Sequence, residues 1–138
     1  MNMHQEHFFV MFIIMCLAGL LSTMNNWVDK LSDIRFSLNH VYMILLMNGY
    51  MLLFMGLYYK NLYGFLIGLI LVILNFLAIR YQFMINEKQY LLGMIPHHSM
   101  AILMSKKLKL QKNNINTLLN NIIKSQEQEI KYMKSKLL

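Results

Sequence analysis

The chain has 138 residues, 57% of them hydrophobic, with a mean hydropathy of +0.42 and a formal charge of +7. That length holds one or two small folded units, and that hydropathy argues against an ordinary water-soluble domain. A single cysteine, Cys16, excludes an intramolecular disulfide, a Cys-x-x-Cys redox pair and a zinc thiolate cage.

Charge is spread unevenly. Of 13 Lys and Arg residues, ten lie from Arg80 onward, together with three of the six acids, Glu87, Glu127 and Glu129. The chain therefore divides into an apolar region, 1–81, and a wetter basic region, 82–138. Charge-free runs at 8–24, 38–59 and 62–79 contain 17, 22 and 18 residues, each near the length that crosses about 30 Å of hydrocarbon as a helix. They predict three transmembrane helices at about 8–25, 38–59 and 62–81, with the lipid bilayer as the first partner. The first run is read as a span rather than a signal peptide, because it lacks a basic start and a small-x-small cleavage site.

The link at 25–37 reads as a short polar connector carrying Trp27, Asp29, Lys30, Asp33 and Arg35, an interfacial aromatic among balanced charges. Between spans two and three only Lys60-Asn61 is left, flanked by Tyr58, Tyr59 and Tyr63, which predicts a tight helical hairpin with an aromatic belt. Three spans put the 25–37 link and the C-terminal region on one side and Lys60 on the other. Lys30, Arg35, Arg80 and Lys88 against Lys60 alone assign the C-terminal side to the cytoplasm.

Beyond the third span, residues 80–89 form a polar shoulder onto which that helix can continue. Gly93 and Pro96 favour a break or kink, since proline lacks the amide hydrogen a helix interior uses. One helix is expected over about 95–110, a turn at 111–114, and a second helix from about 115 to the end. The fold class is all-α: three transmembrane helices followed by an antiparallel hairpin. At 45 to 50 residues that hairpin is too small to bury its own apolar stripe, so it is expected to pack on a second copy, on the membrane surface or on a partner, with self-association into a four-helix bundle as the first choice.

The chemistry-bearing residues collect on this hairpin. Met94, His97, His98 and Met104 place thioether and imidazole donors on about three helical turns, a ligand set suited to copper, and to Cu(I) especially. On the second helix, Leu119, Ile122, Gln126, Glu129, Ile130, Met133 and Leu137 share one stripe, so an amide and a carboxylate sit in an apolar face and need polar partners. A turn near Lys112 or Asn113 makes facing residue numbers sum to about 226, which pairs Met94 with Met133, His97 with Glu129, His98 or Ala101 with Gln126, and Met104 with Ile122. At about 100° per residue, Met94, His97, Ala101, Met104 and Leu108 fall in one sector, expected to face inward. Glu129 would bind metal or hold a histidine N–H, with Gln126 behind it. A metal-free His-Glu-Gln layer that sets helix register fits the same residues.

Met94-Ile95-Pro96-His97-His98-x-x-Ala101-Ile102-x-Met104, followed by Ile123-x-x-Gln126-x-x-Glu129-Ile130-x-x-Met133, resembles the signature of the domain-of-unknown-function family DUF305. The resemblance covers about residues 86–138, and the three preceding spans are similar to those of a membrane-attached subset. It implies a four-helix-bundle-like module that binds copper through Met94, His97, His98, Met104 and Met133, with Gln126 and Glu129 at matching positions. It also implies a periplasmic or extracytoplasmic hairpin, opposite to the charge count.

A second sulfur pattern lies in the spans. Met43, Met47, Met51 and Met55 recur every fourth residue after His40, and Met3, His7, Met11 and Met15 recur likewise near the N-terminus. A Cu(I) stepping path and adaptable helix packing both fit, because steps of four drift by about 40° on a helix. Lysines without interleaved stacking aromatics argue against nucleic acid, and no activated nucleophile, cofactor glycine motif or carboxylate pair argues for an enzyme. Two readings follow: a non-enzymatic membrane protein that buffers, senses or passes copper to a donor or acceptor protein, or an assembly protein whose polar layer sets helix pairing and homo-oligomerisation.

Overall fold

The computed structural model describes residues 3–137, with side chains from Phe9 onward. Its described elements are helical: α1 (Met3–Leu21), α2 (Leu38–Tyr58), α3 (Leu62–Arg80), α4 (Glu87–Lys109) and α5 (Asn116–Leu137), plus short 3-10 turns at Met24–Trp27 and Leu31–Asp33. They form two compact units, residues 1–23 with 38–84, and residues 24–37 with 85–138. The link between spans one and two thus folds with the C-terminal hairpin.

The first unit holds three helices long and apolar enough to cross a membrane. Apolar side chains such as Phe54, Ile67, Ile70 and Leu74 face outward, while small residues lie between the helices. A Cβ at Gly56 would collide with the backbone of Phe65, and one at Gly68 with that of Leu53, so α2 and α3 approach backbone to backbone. Small residues at helix crossings are what packing in lipid selects, since lipid tails are as apolar as leucine and close contact must supply the attraction. Buried Asn48 and Asn75 donate to the carbonyls of Ile44 and Leu71, each at 2.8 Å, and satisfy their amide hydrogens within their own helices.

The turn between α2 and α3 is built by its sequence. Lys60 takes a left-handed φ of 52°, Asn61 N–H reaches back to the Gly56 carbonyl at 2.8 Å, and the Asn61 side chain caps α3 through Gly64 N–H at 3.1 Å. α3 ends the same way, with Gln82 at φ 48° and Phe83 N–H on the Ala78 carbonyl at 2.9 Å. The expected run-on of this helix across 80–89 is therefore corrected: a left-handed cap stops it at Arg80.

In the second unit α4 starts earlier than expected. Asn86 accepts from Gln89 N–H at 2.9 Å, Glu87 sits in the positive first turn, and Lys106, Lys107 and Lys109 sit in the negative last turn. The helix then runs unbroken through Pro96, which is buried, instead of beginning at 95. The proline removes one ladder hydrogen bond, and contacts on both sides of the helix hold it in register. The turn falls where expected: Asn113 donates to the Gln111 carbonyl at 2.9 Å and accepts from Ile115 N–H at 3.1 Å.

Leu91, Ile95, Ile102, Ile130 and Met133 form the core of this unit, with Met94, Ile123 and Leu137 packed against it. Link 24–37 closes the other side. Ser99 Oγ, fully buried, donates to Asp33 at 2.6 Å and accepts from Asp29 N–H at 2.9 Å. Lys134 from α5 reaches the same Asp33, and Lys106 from α4 reaches Asp29 at 2.8 Å and Glu127 at 3.3 Å. Asn25 and Arg35 exchange side-chain and backbone hydrogen bonds at 2.9 and 3.0 Å and staple the link into a loop.

Candidate metal centre

α4 and α5 bring Met94, His98, Glu129 and Met133 to one open pocket, also lined by Tyr90, Ser125, Gln128 and Tyr132. His98 Nδ1 lies 2.9 Å from Glu129 Oε2, and the other Glu129 oxygen accepts from Ser125 at 2.7 Å. The His98 contact is at ion-pair distance without the alignment of a full hydrogen bond, so Nδ1 is buried with its best partner slightly off line. Burial lowers the His98 pKa below the usual histidine value, Glu129 pulls it back up, and the neighbouring His97 lowers it further. The net direction is down, which keeps the imidazole neutral at pH 7, the form that binds metal.

The register differs from expectation by one residue. Glu129 meets His98, a sum of 227, and not His97, and one residue turns a helix by about 100°. Met94 and Met133 line the same pocket, as expected, while His97 is exposed with its ring centroid 5.9 Å from that of His98. Met104 is exposed and lies outside the pocket. Gln126 is half-buried, its carbonyl oxygen enclosed without a hydrogen-bond partner. Of the stripe Met94, His97, Ala101, Met104 and Leu108, the residues His97, Met104 and Leu108 are exposed while Met94 and Ala101 are half-buried, and the inward face of α4 carries Leu91, Ile95, Ser99, Ile102 and Ser105. α4 turns that way because the link packs on it as a third element, burying Ser99 against Asp33.

The sulfur and imidazole residues of α1 and α2 differ in exposure. His40 is buried in the first turn of α2, Met43 and Met47 are exposed, Met51 and Met55 are half-buried, and Met11 is exposed on α1 with Met15 half-buried. The side chains of Met3 and His7 lie outside the described residues. Among the described residues, no three His, Cys, Asp or Glu side chains stand close enough together to hold a metal.

Sequence reasoning missed Asp29, Asp33, Ser99, Lys106 and Lys134. Their signal was available as a four-residue spacing of polar positions, Asn25, Asp29, Asp33 and Ser37, within a segment taken for a connector.

Comparison with known proteins agrees with the hairpin's motif. Residues 81–137 match the family model described as Domain of unknown function (DUF305). The chain is also 42% identical over 140 residues to an uncharacterized protein of Acanthamoeba polyphaga mimivirus, an alignment covering 96% of this chain and 92% of that protein. No solved structure matches. Its C-terminal hairpin and full-length viral relative together show that the chain belongs to the DUF305 family.

Proposed function

We propose that this is a non-enzymatic integral membrane protein whose hairpin binds Cu(I) through Met94, His98 and Met133, for buffering, sensing or transfer. The observation that carries the proposal is the convergence of two thioethers and one imidazole on a single pocket. That donor set fits a soft monovalent ion better than magnesium, calcium or a closed structural zinc site. Cu(I), when bound, supplies a soft acceptor that sulfur and imidazole nitrogen hold without the carboxylates a hard cation demands. Glu129 serves His98: a carboxylate beside Nδ1 favours the tautomer with its proton there and leaves Nε2 to act as donor. Exposed His97 beside the open pocket is placed to capture or release metal in exchange with a partner protein.

The open face of the hairpin, with Tyr90, Met104, Leu108, Leu118 and Tyr132 exposed, supports self-association as a four-helix bundle. The test is an anaerobic Cu(I) titration of the full chain in detergent against a competing chelator. Met94→Leu with Met133→Leu is expected to weaken binding by at least about tenfold, a loss of ~1.4 kcal/mol, whereas Met104→Leu leaves it unchanged. Equal affinity for the wild type and the double variant would refute the site. If helix pairing alone is the purpose of the layer, the double variant binds copper as the wild type does and oligomerisation is indifferent to the chelator.

A further inference from the structure

Link 24–37 is inside out. Its polar residues at every fourth position are turned inward: Asp29 and Asp33, the latter 2% exposed, meet the hairpin at Lys106, Ser99 and Lys134, Ser37, 4% exposed, packs beside Gly93, and Asn25, 7% exposed, closes on the Arg35 backbone. Its apolar residues face away: Trp27 is 57% exposed, Leu31 82%, Ile34 37% and Phe36 54%. In water such an arrangement forfeits the burial of four large apolar side chains. It is the arrangement expected when the outward side meets lipid.

The covalent chain names the same occupant. The link leaves α1 at Leu21 and enters α2 at Leu38, both on helices long and apolar enough to cross a membrane, so its ends are tied to the bilayer surface. The polar groups that remain outside suit the headgroup level. Lys30 is exposed, and the Arg35 guanidinium donates to the Ser32 and Ile34 carbonyls at 3.0 and 2.7 Å, satisfying backbone acceptors that would otherwise face a partly dry environment.

We infer that Trp27, Leu31, Ile34 and Phe36 form a membrane-docking surface that rests in the headgroup and upper acyl region, while Asp29 and Asp33 on the opposite side of the link clamp the hairpin. The surface rests on the reading of α1 to α3 as spans. Ser99 adjoins His98 and Lys134 adjoins Met133, so the clamp ties the link to the two helices that carry the candidate metal centre.

Trp27 is the chain's single tryptophan and reports on this surface directly. The full chain is reconstituted in phosphatidylcholine nanodiscs containing lipids brominated either high or low on the acyl chain. Trp27 emission is expected to be blue-shifted, quenched strongly by high bromines and weakly by low ones, and shielded from aqueous acrylamide. Leu31→Asp with Phe36→Asp is expected to shift the emission back towards that of tryptophan in water. A control, Ile70→Trp in a Trp27→Phe background, places the probe in mid-span of α3. Quenching of the control without quenching of Trp27 overturns the docking surface while leaving the spans intact. Failure of both overturns the spans and the surface together. Blue-shifted, unquenched emission that depends on protein concentration assigns the surface to a second copy and also overturns the proposal.

Discussion

Asp33 shows how a single residue can decide an architecture. Burial works against its charge, but hydrogen bonds from Lys134 and Ser99 and the nearby charges of Lys134 and Lys30 outweigh it, holding the carboxyl below its ordinary pKa. The two partners are unequal, because the Asp33 side chain is 3% exposed and that of Lys134 31%. Removing Lys134 strands a buried carboxylate, at a cost of about 3–5 kcal/mol. Asp33→Asn, by contrast, keeps an acceptor for Ser99 and lets Lys134 turn to water, so Lys134→Met should lower the unfolding temperature of the second unit more than Asp33→Asn does. The sign of the pH dependence follows. With its native pKa depressed, Asp33 contributes stability above the unfolded-state value of about 4, and that contribution is lost as pH falls through the lower native value. Thermal unfolding followed by circular dichroism should therefore show the gap between wild type and Lys134→Met narrowing as pH falls through this range, because the variant lacks the lysine that depresses Asp33 and protonation relieves its stranded carboxylate.

Among the elements, α2 and α3 were the most legible and α4 the least. Charge-free runs and the Lys60-Asn61 break marked these two helices to within a residue or two, because a long apolar segment bounded by a turn signal has few alternatives to a helix. The crossing of α2 and α3 gives a sharp expectation: Gly56→Leu or Gly68→Leu forces backbones apart and should cost ~1–3 kcal/mol, read as loss of thermal stability in detergent, while Leu at exposed Ile70 should be neutral. For α4, the amphipathic stripe was real but its direction was misread. A stripe of Met94, His97, Ala101, Met104 and Leu108 announces a face without saying what covers it, and Ser99 and Ser105 look like solvent-facing residues until Asp33 and its link are placed beside them. Pro96 misled for a related reason. Local sequence weighs the lost hydrogen bond, whereas packing from the link and α5 keeps the helix continuous. The turn at Asn113 and the polar intrusion of Gln126 were both visible, since each follows from local geometry.

At the scale of the whole molecule, the clamp joining link and hairpin makes topology a testable statement. Residues 24–37 and 85–138 form one folded unit; if α1 to α3 cross the membrane as proposed, both stand on one face of the bilayer, with Lys60 opposite. In a Cys16→Ser background, Lys30→Cys and Lys112→Cys should react with a membrane-impermeant thiol reagent from one side of sealed vesicles, and Lys60→Cys from the other. The link's own acids are matched by hairpin lysines, Asp29 by Lys106 and Asp33 by Lys134, so part of the hairpin's positive charge is already engaged within the fold. The candidate site needs one face of each hairpin helix. Its existence is tested most directly by copper K-edge X-ray absorption of the full chain loaded anaerobically with Cu(I). The account predicts sulfur and imidazole nitrogen in the inner coordination sphere, with the sulfur signal lost in the Met94→Leu, Met133→Leu variant and the imidazole signal reduced in His98→Ala. An inner sphere of nitrogen and oxygen alone, unchanged by those substitutions, would contradict it.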